Sequence, residues 1–139
     1  HEDDLRRVLS FSDAMIGSDG LPHDEFPHPR LWGTFPRVLG HYCRDVGLFS
    51  LEEAVRRMTS VPASVFGLRG RGIIREGAFA DLVIFDSKQV IDKADFETPK
   101  QPAAGIDMVM VNGQPVWRDV AWTGELPGRL LRRDLDKAG

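Results

Sequence analysis

The residue best suited to chemistry in this chain is an aspartate that stands in a glycine-rich turn. Asp19 follows the short apolar run Ala14–Ile16 and lies in the sequence Gly17-Ser18-Asp19-Gly20. A buried strand that ends in such a turn presents its carboxylate at the carboxyl edge of a sheet, where many α/β enzymes carry a catalytic group. Asp19 is therefore a candidate general acid/base or metal ligand. A plain turn, in which the aspartate bonds to its own backbone, is the alternative.

The loop after Asp19 offers two further sets of polar side chains. The residues that could gather around a metal ion are His23, Asp24, Glu25 and His28. Their spacing matches no zinc-binding pattern, so a solvated loop is the favoured interpretation. Arg30 could make a bidentate contact to a carboxylate, although taken alone it also fits a surface arginine. No Ser-His-Asp set or phosphate loop is visible, so these residues alone leave the function open.

The elements that would position these residues are helical in the first half of the chain. Apolar stripes, caps and glycine stops predict helical segments at Glu2–Leu9, Thr34–Gly47, Ser50–Met58 and Pro62–Phe66. Ser50 and Glu53 have the spacing of a capping box. The run Ala14–Ile16 has the pattern of a brief buried strand, and a helix followed by a strand is typical of an α/β unit.

The pattern changes to short extended pieces after Leu68. The predicted strands are Gly72–Ile74, Ala80–Phe85, Ile106–Val111 and Gln114–Arg118. Asn112-Gly113, between the last two, is the strongest short hairpin signal that a sequence offers. We therefore predict a boundary near residue 66, with a helical region at 1–66 and a β region at 67–139.

Composition excludes several classes of function. The chain has 139 residues, 42% of them hydrophobic and 28% charged, which fits one domain or a small domain plus a piece of another. Its net charge of -3 and scattered arginines argue against nucleic-acid binding. No apolar run is long enough for a membrane, and no signal-peptide pattern opens the chain. The single cysteine, Cys43, excludes an internal disulfide, so we expect a cytoplasmic location and a buried core role for Cys43.

Taken together, the residues resemble one family, the D-aminoacylases, which are N-acyl-D-amino-acid deacylases of the amidohydrolase superfamily. The more specific part is the run from His28 to Arg37, H-P-R-L-W-G-T-F-P-R, after the turn that holds Asp19. Other pieces are shared widely across amidohydrolases, including dihydroorotases and hydantoinases; these are Ala80–Asp86 and Val111–Gly113. The resemblance covers nearly the whole chain but only the carboxyl-terminal part of the family's length.

The resemblance implies a composite fold and a metal-dependent activity. The chain would be an α+β fragment, with the end of a (β/α)8 barrel (its last strand and closing helices) at 1–66 and part of a small β-sandwich at 67–139. The complete enzyme would be a zinc hydrolase that cleaves the amide bond of N-acyl-D-amino acids. Asp19 would be its acid/base and a possible second-metal ligand. Arg30 would hold the α-carboxylate of the substrate.

The sequence also departs from the family in one respect. The family's principal zinc ligands, histidines and a cysteine on earlier barrel strands, have no counterpart, and Cys43 lies too late in the chain to replace them. We therefore expect a fragment, or one part of a divided enzyme, that is inactive alone. Its partners would be the missing amino-terminal barrel portion or another copy of the chain. The alternatives are a dihydroorotase-like or hydantoinase-like enzyme, or a non-catalytic α+β interaction module.

Overall fold

A computed structural model of the chain describes residues 1–132, which fall into two compact units. The first unit consists of His1–Met58 and Asp86–Gly105, and the second of Thr59–Phe85 with the chain from Ile106 onward. The end of the predicted β region, 133–139, lies outside the described residues. The boundary near residue 66 refers to the domains of a complete enzyme, and it stays a prediction. Among the described helices, none has the length and apolar character needed to cross a membrane.

The first unit is built mainly from helices. These are α1 (Glu2–Leu9), α2 (Arg30–Arg37) and α3 (Leu51–Met58), and α2 runs directly into a π-helical segment, Val38–Asp45. The buried apolar side chains of this unit are Leu9, Val38, Leu39, Tyr42, Ala54, Val90 and Ala94. The stretch Asp86–Gly105 therefore contributes to the core, although an isolated bridge between Ile91 and Ala104 is its only β pairing.

A glycine allows the π-helical segment to approach this irregular stretch. A Cβ on Gly40 would lie 2.3 Å from the Val90 carbonyl oxygen and 2.7 Å from Ile91 Cδ1, so no other residue fits there. Arg44 adds a hydrogen bond, since its Nη1 donates to the Val90 carbonyl oxygen at 2.8 Å. The Val90 carbonyl oxygen thus lies against Gly40 and accepts a hydrogen bond from Arg44, both in the π-helical segment.

The start of α3 follows the predicted capping box only in part. Ser50 Oγ accepts a hydrogen bond from the backbone N–H of Glu53 at 3.2 Å, which confirms the serine as the cap. The Glu53 carboxylate does not turn back toward Ser50. It accepts instead from Arg56 Nε at 2.7 Å and from the buried Arg57 Nε at 2.6 Å, because two guanidinium donors bind a carboxylate more strongly than one amide does.

The second unit contains α4 (Ser60–Phe66) and an antiparallel sheet. The strands are β1 (Leu82–Phe85), β2 (Ile106–Val111), β3 (Gln114–Arg118) and β4 (Ala121–Trp122), in the spatial order β1-β2-β3-β4. Asn112 and Gly113 have φ angles of 49° and 81°, so they form the two-residue hairpin turn that the sequence predicts. The predicted bounds of β2 and β3 are confirmed, because this turn fixes where both strands end.

A polar network centred on Arg71 fastens this hairpin turn to the rest of the unit. Arg71 forms an ion pair with Asp81, donates to Asn112 Oδ1 at 2.7 Å, and places its guanidinium carbon 4.2 Å from the centre of the Phe79 ring. The backbone N–H of Asn112 donates to Asp81 Oδ1 at 2.8 Å. Its side-chain amide donates to the Pro127 carbonyl oxygen at 2.7 Å. Every polar group in this network therefore has a partner within the unit.

Two predicted strands are wrong. Ala14–Ile16 is irregular: the backbone N–H of Ile16 donates to the Arg57 carbonyl oxygen at 3.2 Å, and no strand of the described chain pairs with it. A strand exists only through its neighbours, so an apolar run alone does not produce one. Gly72–Ile74 is also not a strand, because Gly72 has a left-handed φ of 78°. A Cβ on Gly72 would lie 2.7 Å from Ala63 Cβ, so this glycine serves a close approach to α4.

Candidate active site

The structure brings the two predicted site residues of the first unit into direct contact. Arg30 Nη2 lies 2.8 Å from Asp19 Oδ2. The Asp19 side chain is 80% exposed and that of Arg30 is 41% exposed, so both can reach a ligand while they touch each other. A carboxylate beside a guanidinium can exchange a proton and bind an anion at neighbouring points.

The loop that carries Asp19 has an unusual backbone conformation. Asp19 has a φ of 50°, in the left-handed region that non-glycine residues seldom adopt, although aspartate tolerates it better than most. Ser18 Oγ accepts a hydrogen bond from the Gly20 N–H at 3.3 Å. A Cβ on Gly20 would lie 2.6 Å from Leu31 Cδ1 and 2.8 Å from Leu31 Cα. The loop therefore sits tightly against the first turn of α2, which keeps Asp19 close to Arg30.

Arg30 is the first residue of α2, and both of its backbone polar groups are bonded to side chains. Its N–H donates to His28 Nδ1 at 3.0 Å, and its carbonyl oxygen accepts from Thr34 Oγ1 at 2.8 Å. The helix begins at Arg30 and not after the predicted cap, Thr34. The predicted start of this helix at Thr34 is wrong, because the Thr34 hydroxyl bonds backward inside the helix to Arg30 and does not cap the amides that follow.

The structure does not gather the loop histidines and carboxylates around a metal position. Within residues 1–132, no group of three or more His, Cys, Asp or Glu side chains could hold a metal ion. Asp19 alone supplies one carboxylate, whereas a zinc site takes three or four protein ligands. The described residues therefore do not form a zinc site by themselves. His28, one of the four candidates, faces the backbone of Arg30 and the ring of Phe96, at a centroid distance of 5.0 Å.

Cys43 does not belong to the candidate site. It lies in the π-helical segment and is only partly buried, so the prediction of a buried core residue is wrong. Burial raises the pKa of its thiol, with a further contribution from the negative charge of Glu52. A thiol with a raised pKa is a poor nucleophile and a poor metal ligand at neutral pH.

Sequence reasoning identified Asp19 and Arg30 as separate candidates and missed the role of His28. The signal for His28 is its position two residues before the first helical residue, with a proline between them. A proline at the N-cap position has no side-chain acceptor, and the side chain of the residue before it, His28, accepts from the first helical N–H.

Known proteins resemble this chain over most of its length. Residues 12–117 match the Amidohydrolase family. A D-aminoacylase of Alcaligenes xylosoxydans xylosoxydans is 62% identical over 132 residues, which cover 95% of this chain and 27% of that protein. The resemblance to D-aminoacylases that the motifs indicate is therefore confirmed.

Solved structures agree with the sequence relatives. The chain matches the crystal structure of a D-aminoacylase with a TM-score of 0.88 at 60% identity, covering 90% of this chain and 26% of that one. It matches the N-acyl-D-glutamate deacylase from Bordetella bronchiseptica, solved with zinc and a phosphonate inhibitor, with a TM-score of 0.83 at 49% identity, covering 86% and 25%. The chain thus spans about a quarter of the length of the relatives that it matches.

Proposed function

Because this chain belongs to the amidohydrolase family, we propose that it is the carboxyl-terminal part of a zinc-dependent N-acyl-D-amino-acid deacylase. The full-length enzyme would hydrolyse the amide bond of an N-acyl-D-amino acid to a D-amino acid and a carboxylate. The helical part of this chain would be the end of a (β/α)8 barrel, and its sheet would be part of a β-sandwich. The identity to a D-aminoacylase over nearly the whole chain supports this assignment.

The single observation that carries the proposal is the contact between Asp19 and Arg30. Arg30 lies in the most family-specific part of the sequence, Asp19 lies in the turn before it, and their exposed side chains meet at 2.8 Å. The substrate has two features that need recognition: an amide to be hydrolysed and, next to it, an α-carboxylate. An acid/base and a carboxylate-binding guanidinium placed side by side match that arrangement of groups.

Zinc would be held by residues of the enzyme outside this chain, since the described residues do not supply a ligand set. When bound, zinc supplies Lewis-acid activation of water and of the acyl carbonyl. The chain's own contribution would come from two side chains. Asp19 would accept a proton on a carboxylate oxygen from the attacking water and pass it to the leaving amine nitrogen. Asp19 would also be the residue able to contact a second metal ion.

Arg30 would hold the substrate's α-carboxylate. Its contact with Asp19 uses Nη2, which leaves its other guanidinium N–H groups to donate to the substrate. An arginine suits this role better than a lysine because its planar fork can bind both oxygens of a carboxylate. Before substrate binds, Asp19 would use one nitrogen of the guanidinium, and the substrate's carboxylate would add to this contact or replace it.

The remaining part of the enzyme, or another copy of the chain, would cover surfaces that this chain leaves exposed. Large apolar side chains of the first unit, including Phe11 at 62% and Phe26 at 67% exposed, support the need for such a partner. A non-catalytic interaction module would expose similar surfaces, but it would have no use for an exposed acid–guanidinium pair.

The proposal is tested by removing the carboxylate from the substrate and the guanidinium from the enzyme. In the full-length protein, Arg30→Met should lower kcat/KM for N-acetyl-D-methionine by about 10- to 100-fold, mainly through KM, because a charge-assisted bond to the substrate is lost. For the analogue in which hydrogen replaces the α-carboxylate, wild type and Arg30→Met should have the same kcat/KM. Arg118→Met, at an arginine 59% exposed in β3, is the matched control and should behave as wild type.

An equal loss for both substrates after Arg30→Met would show that Arg30 does not bind the α-carboxylate. Absence of hydrolysis of any N-acyl-D-amino acid by the zinc-loaded full-length protein would contradict the proposed activity itself.

A further inference from the structure

The amino terminus of α2 is capped in an unusual way. Its N-cap residue is Pro29, which makes no side-chain cap hydrogen bond. The first N–H of the helix, that of Arg30, donates instead to His28 Nδ1 at 3.0 Å. The next N–H, of Leu31, donates to the His28 carbonyl oxygen at 3.0 Å. One residue thus satisfies two of the helix's first N–H groups, which otherwise have no partner within the helix.

This bond constrains the chemistry of the His28 ring. Nδ1 accepts this hydrogen bond through its lone pair, so the bond forms only while Nδ1 itself carries no proton. The edge of the ring meets Phe96, with ring planes inclined at 79°, which limits the orientations that the imidazole can adopt. Because Nδ1 is occupied by the backbone of Arg30, it is not available to a metal ion or a substrate.

The residue that His28 holds is the one proposed to bind the substrate. The backbone of Arg30 is held at its N–H by His28 and at its carbonyl oxygen by Thr34 Oγ1. The position of its guanidinium, 2.8 Å from Asp19, depends on where this first helical residue lies. A carboxylate contact loses most of its strength when the guanidinium is displaced, because both hydrogen bonds depend on alignment.

We propose that His28 is a positioning residue for Arg30, acting through the hydrogen bond that its Nδ1 accepts from the Arg30 N–H. It does not bind zinc or substrate; it fixes the helix terminus from which Arg30 reaches the α-carboxylate. This inference rests on the proposed function of Arg30. It adds a third residue to the site, and it explains why a histidine stands in a loop that contains no metal cluster.

The test replaces His28 by residues that keep or lose the acceptor. Asparagine can accept the same hydrogen bond from the N–H two residues later through Oδ1, whereas alanine cannot. In the full-length enzyme, His28→Ala should raise KM for N-acetyl-D-methionine about 3- to 10-fold with a smaller change in kcat, as expected for the loss of one hydrogen bond. His28→Asn should restore KM. His23→Ala, an exposed histidine of the same loop, is the matched control and should leave KM unchanged.

A double-mutant cycle with Arg30 separates positioning from a general loss of stability. With Arg30→Met already present, His28→Ala should cause no further change in kcat/KM, because the residue that it positions is gone. The thermal midpoint of each variant should be recorded in parallel.

Three outcomes would overturn the inference while leaving the role of Arg30 intact. These are a wild-type KM for His28→Ala, an unrestored KM for His28→Asn, and a full additional loss when His28→Ala is added to Arg30→Met. If Arg30→Met itself leaves KM unchanged, the proposed role of Arg30 fails and the inference about His28 fails with it.

Discussion

Two arginine–aspartate pairs, one in each unit, use the same side chains in different surroundings. Arg30 and Asp19 meet at a single contact, with side chains 41% and 80% exposed. Arg71 and Asp81 are 10% and 33% exposed, and both are also hydrogen-bonded to Asn112. The first pair keeps free hydrogen-bonding capacity toward solvent, whereas the second uses its capacity inside the fold. Exposure and spare donors, and not the presence of an ion pair, therefore distinguish a candidate site from a structural network.

The largest expected effect concerns the exposed pair. Asp19→Asn in the full-length enzyme should lower kcat by about 10²- to 10⁴-fold, the usual contribution of a general acid/base. The fold should be unchanged, because asparagine also tolerates the left-handed φ of 50° found at this position. Steady-state kinetics and a thermal melt measure both consequences.

The matched control for Asp19→Asn is Asp119→Asn. Asp119 has a similar φ of 53° and is also paired with a neighbouring arginine, Arg118, but it belongs to the second unit and has no proposed role in catalysis. It should retain wild-type kcat. Near-normal turnover by Asp19→Asn would contradict a catalytic role for the Arg30–Asp19 pair and leave it no different in function from the Arg71–Asp81 pair.

The second prediction concerns the network around Arg71. Arg71→Met should destabilise the second unit by about 2–3 kcal/mol, because Asn112 Oδ1 loses its guanidinium donor and Asp81 loses its ion-pair partner, keeping only the bond from the Asn112 N–H. Exchange of the Gly113 amide hydrogen, which bonds to the Ala80 carbonyl oxygen at 2.9 Å, should become faster.

Hydrogen exchange followed by mass spectrometry measures the effect of Arg71→Met directly in the full-length protein, with Arg118→Met as the exposed control. Unchanged protection of the hairpin turn after Arg71→Met would show that the network does not stabilise the unit.

The smallest expected effect concerns the carboxylate of Glu53, which accepts hydrogen bonds from two arginines of its own helix, α3. Hydrogen bonds from Arg56 and Arg57 lower the pKa of Glu53 from 4.5 to about 2. Because the folded-state pKa is lowered, the stabilisation is fully present above pH 4.5 and is lost as the pH falls toward 2. Glu53→Gln should therefore reduce the dependence of the thermal midpoint on pH within this range. Parallel profiles for wild type and Glu53→Gln would contradict the assignment.

Local features were predictable from the sequence, and long-range ones were not. The Asn112-Gly113 turn and the bounds of α1, β2 and β3 match the predictions because turn chemistry, charge order and apolar spacing are local. The run Ala14–Ile16 is not a strand because strand formation depends on a partner distant in the sequence. Strand β4 was not predicted, because a strand of only two residues is too short to show an alternating sequence pattern.

The candidate site was predictable as residue types but not as an arrangement. Asp19 was recognised from its glycine-rich turn and Arg30 from the run that begins at His28. Their contact depends on Gly20 fitting against Leu31, a proximity that spacing in the sequence does not encode. The sequence offers His28 as a weak metal-ligand candidate or as part of a solvated loop, because its position before Pro29 and Arg30 indicates a helix cap only once the start of α2 is known. The catalytic roles of Asp19 and Arg30 stay predictions.

Asp19 and Arg30 are proposed here as the acid/base and the carboxylate-binding arginine of a zinc-dependent N-acyl-D-amino-acid deacylase. The most direct test measures how fast the zinc-loaded full-length protein hydrolyses N-acetyl-D-methionine and N-acetyl-L-methionine, before and after the zinc is removed by a chelator. We expect hydrolysis of the D enantiomer in strong preference to the L enantiomer, and this activity should be lost on chelation and restored by zinc. No hydrolysis of the D enantiomer, or hydrolysis that survives complete removal of the metal, would contradict it.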